Sequence, residues 1–576
     1  MTFIAAVATG TAAVDDLRRL LERSATDRQV GWAAHEGMAV AWATGQRWVT
    51  SEDDGDVLVV LDGQLHIPPV PGRSPASLLA ERYRAMGADL ARGLLGDFTA
   101  IVLDRSRRTL LVCRDPLGIR PWFQSTSGPR HTAATDEATL CKLPWVDDQV
   151  DEDVTLGYLA FVSRSEGPTL HRGITTLPPG TTWRFRNGSQ DVWRHHDWAI
   201  RPEPRVPWEE ALERARAVLD EAVRCRIEAA GPVGSELSGG LDSSAVVGTA
   251  VRLGHPPLVG RLLFEGRSAD ERDYSDAVIE HWGLEALSVP PWIPTQEELD
   301  QFAADLHRPV PDANFTMFLG LHQALGAAGR TTGLTGLGGD DAFIAMPYET
   351  RVASAVQQRQ WDVLGPLLRQ TLRSPWHAWY ETWRPTLRHL SSRGRPRPPG
   401  YVTAAAAERH GLTERFTRPP RLTGIAAIDQ RAVNLTTGHT PFLFEFRAIV
   451  TDLTGQRFTH PFLDPRLITA LYGLNPWFPA RGGHRRALEP AAYADRLPPA
   501  VRDRRTKAEF SEVFWPQVFT EDVLRRVTTG PLTTRGWLDL DGFQNILNGA
   551  REGRAWAALP LSRAVEVDRW LRQVDG

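Results

Sequence analysis

At 576 residues the chain has room for three or four domains of about 150 residues. Its 42% hydrophobic and 24% charged residues fit a globular protein with sizeable cores. A formal net charge of −4 excludes a global basic field for nucleic acid or an anionic membrane. The longest apolar runs fall far short of the ~20 residues that cross a bilayer.

Three scattered cysteines, Cys113, Cys141 and Cys225, form no C-x-x-C pair. That spacing argues against a disulfide scaffold or a thiolate metal centre and fits a reducing cytosol. The apolar start carries no basic residue before Arg18, unlike a signal peptide. The expectation is a cytoplasmic protein with no membrane partner. All but two of the 66 Lys and Arg residues are arginine, the exceptions being Lys142 and Lys507. A GC-rich genome accounts for the bias. Arginine does not replace a compact, strongly hydrated point charge, however, so a surviving lysine is worth following.

In chain order, strand-like runs come first, at 57–61, 99–104, 109–113 and 182–186. Turn signals separate them, at Asp62-Gly63, Asp115-Pro116-Leu117-Gly118 and Pro178-Pro179-Gly180. The polar stretch 187–207 reads as a linker. From Trp208 the period changes: Leu212, Ala215, Leu219, Ala222, Val223 and Ile227 form one helical face. A strand up to Leu237, a helix from Ser243, a strand at 258–264 and a helix at 273–281 follow. That alternation predicts a parallel α/β sheet, with a mostly helical C-terminal half. Between 359 and 397, eight arginines are interleaved with Trp361, Trp376, Trp379, Tyr380 and Trp383. This is either a nucleic-acid surface or a helical insertion with solvated arginines. The acidic overall balance favours the insertion, with no nucleic-acid partner.

Ser238-Gly239-Gly240-Leu241-Asp242-Ser243-Ser244 follows a strand and opens a helix. Its glycines admit an anion close to the backbone, its hydroxyls donate, and the free N–H groups of the helix start point the same way. Asp242 would repel phosphate unless a divalent cation lay between them, which implies Mg²⁺. No Gly-Lys-Ser/Thr follows, so this is not a Walker A loop.

This heptapeptide resembles the pyrophosphate loop (PP-loop) of the ATP pyrophosphatases. Thr335-Gly336-Leu337-Gly338-Gly339-Asp340-Asp341 resembles the second acidic loop of asparagine and β-lactam synthetases. Thr459-His460-Pro461-Phe462-Leu463-Asp464 resembles their P-F-L-D element, and Cys113-Arg114-Asp115-Pro116-Leu117-Gly118 a turn of their glutaminase-like domain. The resemblance implies two parts. Residues 1–200 would be a degenerate glutaminase-like (Ntn-type) α+β sandwich, and 201–576 an α/β synthetase domain of PP-loop type with a helical insertion. It further implies an ATP/pyrophosphate site at 238–244 with Gly336, Leu337 and Gly338, and Mg²⁺ on Asp242, Asp340 and Asp341.

The departures from that family narrow the reading. Glutamine-dependent members carry a nucleophilic cysteine at position 2, where this chain has Thr2. Threonine is a far poorer nucleophile toward an amide without an activating base, although an N-terminal threonine hydrolase is the alternative. The family's Asn-Gly turn is Asp62-Gly63 here, and Asp97 matches a family position. The first domain then reads as a structural relic, with ammonia not the amine used. Leu337 replaces a proton-handling residue. Glu445 aligns with a later catalytic glutamate, and is either catalytic or a buried partner of an arginine. His460 could contribute or be structural. Lys507, in Arg505-Thr506-Lys507, resembles an essential lysine that stabilises charge on the α-phosphate and the acyl oxyanion.

The long stretch between Asp341 and Pro461, with 268–274 and a first domain that lacks the nucleophilic cysteine at position 2, resembles the lasso peptide cyclases. That resemblance implies adenylation of an Asp or Glu side chain in a precursor peptide, then attack by its α-amine. The implied partners are the precursor peptide, a leader-binding protein and a leader peptidase. The alternatives are a small-molecule amide or β-lactam synthetase, a tRNA-modifying ATP pyrophosphatase, and an inactive scaffold.

Overall fold

The structure is a computed structural model. It describes residues 4–8, 30–43, 48–128, 130–162, 167–198, 200, 203, 206–266, 269–310, 316–343, 356, 359, 361, 398–415, 439–474, 486–504, 519–552 and 554–575. The first part holds strands β1 (Ile4–Ala8), β2 (Val30–His35), β3 (Met38–Ala43), β4 (Val49–Asp53) and β5 (Val57–Leu65), then helix α1 (Pro75–Met86). After it come β6 (Gly96–Asp104), β7 (Thr109–Arg114), β8 (Phe123–Ser127), β9 (Arg130–Ala134), helix α2 (Glu152–Leu159), β10 (Thr175–Thr176), β11 (Thr181–Arg186) and β12 (Ser189–Arg194).

These strands form two six-stranded sheets, ordered β10-β8-β9-β1-β3-β2 and β12-β11-β7-β6-β5-β4. Leu58, Val60, Ile101 and Leu103 of the second sheet pack on Val40 and Trp42 of the first. Val57, Val59 and Leu61 point the opposite way, onto Leu79, Ala80 and Tyr83 of α1. With both faces covered, β5 and β6 are buried at every position, and their apolar stretches at 57–61 and 100–103 therefore run without alternation in the sequence. The expected linker at 187–207 contains a strand instead. Asn187 (φ 50°) and Gly188 (φ 78°) make a two-residue turn that folds β12 back on β11. An Asn-Gly pair is the residue choice for such a hairpin.

The second part opens with α3 (Trp208–Ala230), whose predicted apolar face, from Leu212 to Ile227, is buried throughout. Next come β13 (Gly234–Glu236), α4 (Leu241–Arg252), β14 (Leu258–Leu262), α5 (Arg272–Trp282) and β15 (Ala286–Val289). The chain continues through α6 (Gln296–Leu306), α7 (Leu319–Ala327), β16 (Thr332–Leu334), α8 (His439–Thr454), β17 (Arg457–Thr459) and α9 (Pro465–Gly473). The sheet order is β15-β14-β13-β16-β17, with every pairing parallel. The order reverses between β13 and β16. Open parallel sheets bind ligands beyond the carboxyl ends of their strands at that switch point.

Helices α10 (Leu540–Arg551) and α11 (Ala555–Asp575) build a separate apolar cluster around Trp537 and Trp570. Leu156, Tyr158 and Leu159 of α2 pack into it, so the first part of the chain is keyed into the C-terminal helices. Among the described residues, no helix is long and apolar enough to cross a membrane.

Candidate active site

Two loops leave the sheet at the switch point. The first follows β13. Gly239 has φ 74°, and a Cβ there would lie 2.6 Å from the Cβ of Tyr274, so both the turn and the packing require glycine. Gly240 caps α4 without a side chain. Ser238 and Ser243 hold the loop closed through an Oγ–Oγ hydrogen bond of 3.1 Å, and Ser238 Oγ also accepts from Gly240 N–H at 3.2 Å. Ser244 faces inward and is wholly buried. Leu241 and Asp242 occupy the first turn of α4, where the exposed N–H groups favour an anion.

The second loop follows β16 and lies directly against the first. A Cβ on Gly336 would stand 2.5 Å from Ser243 N, one on Gly338 (φ 92°) 2.3 Å from Leu463, and one on Gly339 2.0 Å from Asp242 Oδ1. Gly336 and Gly339 therefore let the two loops meet, and Gly338 lets the second loop pack on Leu463. The contact at Gly339 yields a prediction. Gly339 has an ordinary helical backbone, so alanine fits there, but the added methyl must push the Asp242 carboxylate aside. Gly339→Ala should retain the native circular dichroism while binding Mg–ATP more than tenfold more weakly, as read by calorimetry.

The carboxylates of Asp242 and Asp340 converge, and Arg486 bridges them. Its Nη1 donates to Asp242 Oδ2 at 3.2 Å and to Asp340 Oδ1 at 2.8 Å, and its Nη2 pairs with Asp242 and Glu489. A guanidinium standing between two carboxylates from different loops marks a place built for positive charge, and hard oxygen donors of this kind suit Mg²⁺. Asp341 is not among the cleft-lining residues; its carbonyl accepts from the Tyr472 hydroxyl at 3.3 Å.

These groups line a cleft of about 1160 Å³. Leu237, Leu262, Phe264 and Leu321 give it an apolar wall that suits a nucleobase, and Leu337 faces it from the second loop. Among the lining residues that sequence reasoning missed are Glu236, Arg447 and Arg486. Glu236 sits at the end of β13 between His322 Nε2 (2.8 Å) and Arg447 Nη1 (3.1 Å), with Arg447 stacked over Phe458. Burial alone would raise the Glu236 carboxyl, but Arg447 and His322 more than offset it and hold it down to about 2. A charged residue directly ahead of the glycine loop was the available signal.

Glu445 is buried and is not among the cleft-lining residues; its Oε2 accepts from Arg308 Nη1 at 2.8 Å. Arg308 in turn lies 3.8 Å from Glu137, which holds His171 Nδ1 at 2.9 Å. Of the two readings of Glu445, this geometry is the buried arginine partner. Lys507, Arg505, Thr506, Thr2, Ser268 and most of 359–397 lie outside the described residues. Arg504, three positions before Lys507, lines the cleft over the Tyr274 ring at 4.0 Å.

His460 is buried, with Nδ1 2.8 Å from Thr335 Oγ1 and its ring stacked on Phe444. Burial, reinforced by Arg447, lowers its pKa from 6.5 to about 3, so it stays neutral and serves the structure. The unfolded chain therefore takes up this proton at a higher pH than the native state does. The stabilisation is complete above 6.5 and is lost as pH falls toward 3. His460→Gln should flatten the acid limb of urea-unfolding stability over that window. An unchanged slope would contradict the assignment.

Behind the cleft the two parts of the chain meet at Asp97, which Thr459, Arg457 and, at 4.0 Å, Arg226 approach from the second part, with ion pairs inside each part beside it. Arg226 donates through Nη1 to Asp464 Oδ2 (2.7 Å) and through Nε to Thr459 Oγ1 (2.9 Å). The Thr459 hydroxyl donates to Asp97 Oδ2 at 2.8 Å, and Arg457 Nη2 to the Asp97 carbonyl at 2.6 Å. Arg120 pairs with Asp62. His66, Cys225 and Asp464 present potential metal-ligand atoms within 4.8 Å of one another. The Asp464 oxygens, however, already accept from Arg226 and from both backbone and guanidinium of Arg466. In this arrangement Asp464 serves an ion-pair hub with Arg226 and Arg466.

Compared with known proteins, residues 214–572 match the family model described as asparagine synthase, and residues 69–198 the one described as glutamine amidotransferase domain. Asparagine synthetase [glutamine-hydrolyzing] 3 of Bacillus subtilis is 26% identical over 39% of this chain and 36% of its own length. A putative asparagine synthetase [glutamine-hydrolyzing] of Mycobacterium tuberculosis is 28% identical over 36% of this chain and 33% of its own. The chain thus spans about a third of the length of these curated relatives. A solved glutamine phosphoribosylpyrophosphate amidotransferase from B. subtilis covers 58% of this chain and 81% of its own, at 13% identity and a TM-score of 0.24.

Proposed function

The chain belongs to the asparagine synthase family, and on that premise we propose an ATP- and Mg²⁺-dependent carbon–nitrogen ligase that closes a macrolactam in a ribosomal precursor peptide. The observation that carries the ligase reading is the convergence of Asp242 and Asp340 on the glycine loop at the sheet's switch point. In this reading Ser238, Gly240, Leu241 and Ser243, with Gly336 and Leu337, cradle the triphosphate, while Gly239, Ser244 and Gly338 stand off the cleft lining and shape the two loops behind it. Asp242 and Asp340 hold Mg²⁺, which would offset the charge building on the α-phosphate and the departing pyrophosphate. Asp341 supports the second loop.

The reaction has two displacements. An oxygen of an Asp or Glu side chain of the peptide attacks the α-phosphorus, and pyrophosphate leaves. The peptide's α-amine then attacks the acyl carbon, AMP leaves, and the amine proton is lost to solvent or to a phosphate oxygen. Leu337 faces the cleft and accepts no proton. Lys507 is the proposed source of fixed positive charge for both steps. The peptide reading draws support from the domain junction. The junction carries Asp97, Arg226, Arg457 and Thr459 as mutually bonded buried groups, a poor path for ammonia between the two parts. The division into a glutaminase-like half (1–200) and a synthetase half (201–576), a leader-binding protein and a leader peptidase belong to the same proposal.

The test is incubation of purified protein with ATP, Mg²⁺ and linear core peptides bearing a free amine and an acidic residue. Loss of one water from the peptide, with AMP and pyrophosphate released, is the expected result. Amide formation from small amino acids but from no peptide would overturn the macrolactam reading and leave the ligase reading standing.

A further inference from the structure

Arg486 is the most unusual group in the cleft. It stands at the position that the two loops prepare for a cation. Its guanidinium contacts Asp242 through both Nη atoms, Asp340 through Nη1 at 2.8 Å, and Glu489 through Nη2. Glu489 is wholly buried one helical turn away, so the guanidinium is clamped by three carboxylates from three segments. A guanidinium keeps its charge at any pH the protein meets, so this positive charge is permanent.

We infer that Arg486 is a resident counter-ion that occupies the cation position of the free protein, so that a divalent ion enters only when a polyphosphate gives the guanidinium other oxygens to bind. This rests on the assignment of Asp242 and Asp340 as metal carboxylates. Its physical basis is competition. Two carboxylates facing each other without a cation repel, and the internal guanidinium relieves that repulsion without a metal. A divalent ion arriving alone must break these charge-assisted hydrogen bonds and leave a positive side chain beside itself in a partly buried site. An ion arriving with the phosphates brings compensating negative charge. Metal binding and nucleotide binding are thereby coupled.

The experiment uses Mn²⁺ as the probe, on full-length protein without nucleotide, with bound ion read from the loss of the free-ion electron paramagnetic resonance signal. Arg486→Gln and Arg486→Met (the latter keeping the packing of the stem) should each bind Mn²⁺ at least tenfold more tightly than the wild type. Arg486→Lys keeps a cation in place and should bind as weakly as the wild type. Equal Mn²⁺ affinity in the wild type and both neutral variants would overturn the inference. Adding Asp242→Asn to Arg486→Gln should abolish the gain. Tight binding that survives this change would show instead that the carboxylate assignment itself is wrong.

Discussion

Asp242→Asn is expected to reduce ATP–pyrophosphate exchange by roughly a thousandfold or more, equivalent to about 4 kcal/mol of transition-state stabilisation. The expectation follows from position. Asp242 lies in the first turn of the helix after the glycine loop, faces Asp340 across the loop junction, and shares Arg486 with it. Asparagine keeps the size and the hydrogen-bonding shape but removes half of the negative charge that the paired carboxylates direct at a cation. The Cβ space tested at Gly339 is untouched, so the loops should pack as before. Unfolding stability should stay near that of the wild type while exchange collapses. Exchange within tenfold of the wild type would mean that the cation is held elsewhere.

Arg226→Met is expected to lower stability by about 3–5 kcal/mol, the usual consequence of removing one partner of a buried ion pair. Arg226 is about 1% exposed and holds Asp464, Thr459 and, through Thr459, Asp97. Methionine fills much of the volume but leaves both carboxylates buried with diminished compensation. Because Asp97 belongs to the first part of the chain and Asp464 to the second, the loss should separate the two parts in urea unfolding, turning one transition into two. Combining the change with Asp464→Asn in a double-mutant cycle should recover part of the loss, since the orphaned charge is then gone. A fall below about 1 kcal/mol would show that the hub is energetically idle.

Much of the architecture was legible because it rests on local pattern. The apolar face of α3, the alternation from β13 through α5, and the glycine loops each carry their cause within a short stretch of sequence. The β11–β12 hairpin was readable too, in Asn187-Gly188, but the polar composition of β12, whose side chains are mostly exposed, disguised a strand as a linker. The long-range charge pairs were not readable. Arg226 and Thr459 are 233 positions apart, and Asp97 and Arg457 are 360 apart. In a chain where nearly every cation is arginine, nothing local distinguishes Arg226 or Arg486 from a solvated neighbour. Glu445 was readable only as two alternatives, because a buried pair and a catalytic carboxylate look alike until Arg308 is placed beside it.

The most direct test of the central claim is to follow one oxygen. A linear core peptide carrying oxygen-18 in its acidic side chain is incubated with the protein, ATP and Mg²⁺, and the nucleotide product is weighed. Adenylation at the Asp242–Asp340 cleft predicts AMP containing one heavy oxygen per ring closed, with unlabelled pyrophosphate. Heavy oxygen in inorganic phosphate, accompanied by ADP, would place the attack on the γ-phosphorus and contradict the account.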